Sequence, residues 1–509
     1  MTGKEGLSMA GRNRKKSQGS ITVFMALILS LVVSLICTGI ESVRMAAART
    51  QILAGMDIGL YSLFAQYDQA LLKEYDLFAL DVSNGTEALD LAFLCDELEK
   101  YMKPVLKQNS QKLKLQQCGL TGYRLLTDQK GEVFFQQITE YMKETLGSHG
   151  IQLLLDKMQE RNEKTRKAEE EGNKAENGGT LESYDHEMSS AARESEEEQK
   201  KQEANSEFSE ELGDGSQKED NTGTQVVQAD NPIPSIRRIR WMGILDLLLP
   251  LGQQVSDKEV SKRKLVSGRE IQSGMPMREN LKEDTSTTSQ ILYQQYLMEK
   301  LGNYSDPGKG GLSYQIEYVL YGRDSDRENL KAVARKLLLI REGVNAACLA
   351  ADPVRQGQAS ALAASIASGF LIPPAAPVIE AALILCWAFG ESVLDVRELF
   401  AGGKVPLIKS GENWQLSLEN LPHLLDVAET ERKESPGEMN YEDYLQILLL
   451  SMNRENKKMR GMDMVELVMR TSAGWESFRL DGCVTALEAS ADVKANTRKV
   501  FSVAREYSY

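Results

Sequence analysis

Histidine is nearly absent from this chain. His149, His186 and His423 are the three in 509 residues, too few and too scattered for a zinc site. No Gly-x-Ser-x-Gly elbow occurs, so that signature of a serine hydrolase is missing too. Cysteine is sparse: Cys37, Cys95, Cys118, Cys348, Cys386 and Cys483. None stands in a CxxC pair, and with Cys37 inside an apolar run the other five are an odd number spread from residue 95 to residue 483. That pattern excludes a disulfide scaffold and leaves one long-range bridge open. Basic clusters are missing beyond the first 16 residues, so nucleic acid has no electrostatic partner here. Proline is missing before Pro104, so nothing breaks a helix that starts near the N-terminus.

What stands there instead is a run of 20 uncharged residues, Ile21 to Ile40. At about 1.5 Å per residue it makes a helix roughly 30 Å long, the thickness of a bilayer's hydrocarbon core. Lys4, Arg12, Arg14, Lys15 and Lys16 precede it against a single Glu5. This excess of positive charge predicts a cytoplasmic leader over 1–20, a single-pass transmembrane helix over 21–40 in contact with the lipid bilayer, and an extracytoplasmic bulk. The run is longer than the apolar region of a cleaved secretory signal, although Ala46-Ala47-Ala48 offers a small-residue cleavage site. Ser34, three places before Cys37, stands where a lipoprotein signal needs Leu.

Lys15-Lys16-Ser17-Gln18-Gly19, followed directly by that helix, resembles the leader of type IV prepilins and of the small pseudopilins of tight-adherence pilus systems. The resemblance implies cleavage between Gly19 and Ser20 by a prepilin peptidase, with the helix left in place. Phe24 stands where those leaders carry Glu. The resemblance also implies a helix that continues past the membrane. Leu53, Met56, Leu60, Leu63 and Tyr67 step by 3 and 4, a seam for a partner helix or for the domain's own core. Ser34 and Gly39 are small residues that would let another helix approach within the bilayer.

The net charge of −14 is uneven. Between Glu160 and Gln225 stand 20 acidic and 9 basic residues with few large apolar ones. Such a segment buries too little surface to offset its ordering entropy, so 159–230 is expected to be a disordered acidic insert. On either side, 41–158 forms an extended helix and the first part of the extracytoplasmic domain, and 231–509 forms its main part. Strands are predicted over Glu74–Val82 and Leu113–Leu126, and as a terminal antiparallel pair between Glu476 and Tyr509. Helices are predicted over Val133–Met158, after capping boxes at Thr287–Gln290 and Ser325–Glu328, over Tyr441–Met452 behind Asn440, and ending at Glu466–Met469. Prolines 373, 374 and 377 and a high alanine content make Ala359–Gly390 two buried helices rather than a second span. The fold class is therefore α+β: a long N-terminal membrane-anchored helix, then a mixed helical and antiparallel-sheet domain.

Two motifs come close to chemistry and miss it. Gly302-Asn-Tyr-Ser-Asp-Pro-Gly308-Lys309-Gly310 has one residue too many for a phosphate loop, and Gly310 replaces its Ser or Thr. Asp324-Ser-Asp326-Arg-Glu328 starts like a calcium loop, but Asn329 and Arg335 replace its Gly and closing Glu. No catalytic constellation, cofactor site or metal site emerges, and no enzymatic activity is expected.

Leu312-Ser-Tyr-Gln-Ile-Glu-Tyr-Val-Leu-Tyr-Gly-Arg-Asp-Ser-Asp-Arg-Glu-Asn-Leu, Leu339-Ile-Arg-Glu-Gly-Val-Asn345, Trp387-Ala-Phe-Gly-Glu-Ser-Val-Leu-Asp-Val-Arg-Glu-Leu, Gly403-Lys-Val-Pro-Leu-Ile-Lys and Tyr441-Glu-Asp-Tyr-Leu together resemble domain-of-unknown-function family 5702. The resemblance covers nearly all of the chain except the acidic insert. It implies a membrane-anchored bacterial surface protein with a structural or assembly role in a tight-adherence (type IVc) pilus-like apparatus, with pilus-system membrane proteins as partners. The alternatives are a membrane-tethered envelope hydrolase and a surface-binding module.

Overall fold

With no proline in its way, the N-terminal helix runs unbroken far beyond the apolar stretch: α1 spans Gln18–Phe64, 47 residues or about 70 Å. The computed structural model describes residues 18–176 and 231–509 apart from 84–85, 87, 108–112, 251, 371, 427–437, 473–474 and 496–498. A short helix follows, α2 (Gln69–Tyr75), capped by the Asp68 carboxylate, which accepts from the N–H groups of Ala70 and Leu71. It ends on Asp76 in the left-handed region, φ 52°. The expected strand over Glu74–Val82 is thereby cut down to two residues, β1 (Leu80–Asp81).

Next comes α3 (Leu91–Lys107), whose Leu94, Leu98, Met102 and Leu106 fall on one buried face at i+4 spacing. It feeds β2 (Lys114–Leu125). The end of the chain supplies the predicted antiparallel pair, β3 (Cys483–Lys494) and β4 (Val500–Ser508). β3 lies in the middle of the sheet. Along one side it pairs with β2, from Lys114↔Lys494 to Leu125↔Val484. Along the other it pairs with β4 over Ala486–Lys494 and with β1 at Cys483 and Val484. One face of this sheet is covered by α1 and α3. Ile52, Met56, Leu60, Leu98, Leu125, Leu487, Ala489 and Val493 form the core between them.

The remaining helices build a second, larger core. α4 (Asp128–Glu176) opens with three left-handed residues, Gln129 to Gly131, and breaks at Gly147. Gly131 eases the last of the three, because φ is 78° and a Cβ there would press on the flexible end of Met462. α4 retains helical backbone to Glu176, Met158 is buried and Arg161 pairs with Asp443 at 2.5 Å. The border of the acidic insert is thus shifted, and its expected disorder from 177 to 230 lies outside the described residues.

After the insert come α5 (Ile233–Arg240), α6 (Ile244–Leu248), α7 (Thr287–Lys300), α8 (Gln315–Tyr321) and α9 (Asp326–Ala350). Then follow α10 (Pro353–Gly369), α11 (Ala376–Phe400), α12 (Tyr441–Ser451) and α13 (Arg454–Arg470). Asn440 and Asp443 cap α12 reciprocally as expected, and Ser325 accepts from the Glu328 N–H at the start of α9. The cap of α7 is one residue earlier than expected. Ser286 accepts from the Ser289 N–H, while the Ser289 hydroxyl is taken by Asp284 at 2.6 Å. The Ala359–Gly390 stretch is indeed two helices. α11 is apolar and long enough to cross a membrane, but Ile379, Leu383, Trp387, Val393 and Leu399 bury its main face in the helical core.

Candidate membrane-anchor site

The two halves of α1 differ abruptly. From Ile21 to Ala47 nearly every residue is exposed, with Leu31 and Leu35 at 69%. Ala48, at 1%, is the first buried position. An apolar helix of this length, mean hydropathy 2.6, carries far more exposed hydrocarbon than a water-facing surface tolerates. Ser34 and Gly39 both lie on this exposed part, and a Cβ on Gly39 would meet nothing within 4 Å. Gly19 and Ser20 fall in its first turn.

Below Ala48 the helix belongs to the domain. Met56, Leu60 and Leu63 are buried in the core beneath the sheet, whereas Leu53 is only partly buried. The fully buried register is instead Ala48, Ile52, Met56, Leu60 and Leu63, with Phe64 beside it. Sequence periodicity placed the seam one residue off at its start, because both Ile52 and Leu53 are apolar. It also missed Gly55 and Gly59, spaced one turn apart, which set how closely α3 crosses. A Cβ on Gly59 would lie 2.9 Å from both Leu98 Cδ1 and Met102 Cγ.

Two contacts orient the sheet along α1. Lys499 Nζ in the β3–β4 turn reaches Met45 Sδ at 3.0 Å, and the Tyr509 hydroxyl donates to the Phe64 carbonyl. The β3–β4 hairpin tip therefore lies nearest the apolar half. The helical core joins the sheet at the opposite end, where Leu126 N donates to the Cys483 carbonyl. From Ile40 to Phe64 the helix rises about 36 Å, continuous with the apolar half and packed into the domain from Ala48 onward.

The residues that resembled chemistry do not assemble. His149 and His423 are exposed, His423 lying 3.7 Å from Asp426, and His186 lies outside the described residues. The glycine loop closes on itself, since a Cβ on Gly302 would sit 2.0 Å from Gly308 N. Asp326 is buried and accepts from the N–H groups of Ser313 and Tyr314 at 2.9 and 3.0 Å, so it staples a loop. Among the described residues, no three His, Cys, Asp or Glu side chains gather to hold a metal ion.

Buried charge is plentiful in the helical core, and much of it is paired internally. Asp395 accepts from Arg341 and Asn345 and pairs with Lys409, which also reaches Glu391. Burial works to raise the Asp395 carboxyl, but Arg341 and Lys409 outweigh it and hold it below the usual carboxylate range. Glu132 bonds Arg454 and Lys458, and Arg269 bridges Glu466 and Asp481. Each network ties together residues remote in sequence.

A model described as "Family of unknown function (DUF5702)" matches residues 222–495. The match takes in the helical core from α5 onward and β3, but leaves out α1 to α4, β1, β2 and β4, so it is narrower than the nearly whole-chain coverage expected. No curated protein and no solved structure matches the chain.

Proposed function

The chain belongs to this family of unknown function, and from that premise we propose that it is a membrane-anchored structural or assembly component of a tight-adherence, pilus-like apparatus. In this reading residues 21–40 lie in the bilayer, the basic leader stays in the cytoplasm, and the α+β domain stands outside. One observation carries it: a single unbroken helix is apolar and bare over its first half and forms part of the domain core over its second. A domain rigidly mounted on its anchor transmits position and force, as a structural subunit must and an enzyme on a tether need not. The resemblance of the Lys15–Gly19 leader to prepilin leaders supplies the pilus element.

The test is a variant with both Ser34→Leu and Gly39→Leu, expressed in the native host beside the wild type. These changes touch only the bare half of α1, where small residues let helices approach. The variant is expected to insert and fold normally yet fail to co-purify with pilus-system membrane proteins. Unchanged co-purification would reduce α1 to a plain anchor. If the wild type itself brings down no such proteins, the assembly role fails.

A further inference from the structure

We propose that the membrane-proximal end of the domain carries a basic collar that binds anionic phospholipid headgroups and seats the domain on the bilayer surface. The inference rests on the placement of residues 21–40 in the bilayer argued above. The collar consists of Arg44 and Arg49 on α1, Lys107 at the end of α3, Lys114 at the start of β2, and Lys494 and Lys499 flanking the β3–β4 turn. All six side chains are exposed.

The fold brings these scattered residues to one end of the sheet unit. Lys499 Nζ lies 3.0 Å from Met45 Sδ, so the hairpin turn abuts α1 soon after the uncharged run ends. Lys494 stands opposite Lys114 on one side and Val500 on the other. The Gln51 amide donates to the Val105 carbonyl at 3.5 Å, which sets the end of α3, with Lys107, slightly farther out. Along α1, Arg44, Met45 and Arg49 follow Ile40 by about 6, 8 and 14 Å, and the two arginines are about 140° apart around the helix. A headgroup layer is about 5–8 Å deep on each side of the hydrocarbon, and the potential of an anionic surface reaches about 8 Å beyond it. The collar falls within that range.

Charge singles this end out. The chain carries −14 overall, yet among the described residues none of the six cations is ion-paired. Lys103, one turn before Lys107, is by contrast held by Glu99 at 2.7 Å. The nearby carboxylates are Glu41 and Asp492, and Asp492 accepts from the Ser502 hydroxyl at 2.6 Å. Lys114 and Lys494 also face each other directly on neighbouring strands, where like charges destabilise the pair. A phosphate between them turns that repulsion into attraction. Lipid is the occupant because the collar surrounds α1 where the helix enters the bilayer, so headgroups are the anions within reach. Each lysine or arginine held near an anionic leaflet adds to the attraction.

The test uses the full chain reconstituted in nanodiscs of phosphatidylcholine, with or without phosphatidylglycerol, acetylated briefly and read by peptide mass spectrometry. Lys114, Lys494 and Lys499 are expected to react about fivefold more slowly in the anionic discs, and Lys107 to be slowed less. Lys73, exposed on α2 beyond the far end of α1, should react equally in both. High salt should erase the difference. A double variant, Lys494→Gln with Lys499→Gln, should keep the wild-type thermal midpoint in detergent and restore the Lys114 rate in anionic discs nearly to its neutral-disc value. Equal rates in the two discs, a difference that survives high salt, or Lys114 protection that persists in the variant would overturn the collar and leave the anchor standing. Inorganic phosphate that protects the same lysines in neutral discs would assign the site to a soluble anion and overturn the lipid. A chain that fails to enter either disc would overturn the bilayer placement and the collar with it.

Discussion

The sheet unit and the helical core bury their residues on different principles. Beneath the sheet, α1 and α3 meet β2 and β3 through Ile52, Met56, Leu60, Leu98, Leu487 and Val493, and among the described residues no buried ion pair crosses that core. The helical core encloses Glu132, Glu317, Arg341, Glu391, Asp395, Lys409, Asp463 and Glu466. The first is held by area removed from water, which is indifferent to pH. The second has long irregular connections, from 249 to 286 and from 401 to 424, that bury apolar side chains such as Leu265, Val405, Leu416 and Leu421 and are held by charge as well. Its buried ions pin those connections to helices: Lys409 is held by Glu391 and Asp395, and Ser267 by Asp463 at 2.8 Å. Buried ions contribute little net stability but are costly to break singly. The domain therefore has a robust half on the stalk and a sensitive half farther out.

The sharpest way to break this contrast is Asp395→Ala. It leaves Arg341 and Lys409 in a fully buried site without their shared carboxylate, and the expected loss is about 3–5 kcal/mol. Denaturant unfolding checks it, and a loss below about 1 kcal/mol would mean that Glu391 and the Pro406 and Leu407 carbonyls suffice. Next comes Glu317, entirely buried at the start of α8. Burial pushes its carboxyl up to about 7, despite the Tyr441 hydroxyl and the Tyr304 N–H that donate to it. A carboxyl raised on folding stabilises below its unfolded value and loses that contribution as pH rises through the folded one. The wild type should thus weaken between pH 4.5 and about 7, by up to about 3 kcal/mol. Glu317→Gln keeps the acceptor and should remove this slope, giving a higher midpoint than wild type at pH 8 and no advantage at pH 4.5.

In the sheet unit the effects should be smaller and flat with pH. Gly59→Ala gains about 1 kcal/mol of helix propensity, but its methyl must displace Leu98 and Met102 at about 1–3 kcal/mol. The net is a loss of about 1 kcal/mol, the same at pH 5 and pH 8. A pH-dependent loss would show that the two cores are coupled. Smallest of all is Lys100→Ala. It removes the exposed pair with Glu97 on the outer face of α3 and should leave the midpoint unmoved.

This contrast also explains what could be read from the sequence. Elements with local signals were legible: α12 from the Asn440–Asp443 box, α9 from Ser325, and β2, β3 and β4 from alternation. So was the long α1, from the absence of proline. The two-helix reading of 359–390 followed from its prolines. What failed was set by competing local caps or by contacts distant in sequence. The Glu74–Val82 run became a helix end and a two-residue strand because Asp68 caps one and β3 accepts only Leu80 and Asp81. The α7 cap moved because Ser286, one residue before Thr287, takes the Ser289 N–H and relays its hydroxyl through Ser289 to Asp284. The buried networks were invisible, since Arg341 and Asp395 stand 54 residues apart and nothing local marks them as partners. In α1 the bare half could be read residue by residue. The buried half was out by one at its start, where two adjacent apolar residues left the helical phase undecided until α3 packed against it.

The proposed function requires that α1 place the whole domain outside the cytoplasm. A reporter that is active only outside the cytoplasm, fused after Tyr509 and expressed in the native host, tests it most directly. The account predicts full activity, matched by loss of the domain to protease added to intact cells stripped of their wall. An inactive reporter, together with a domain that added protease cannot reach, would contradict it.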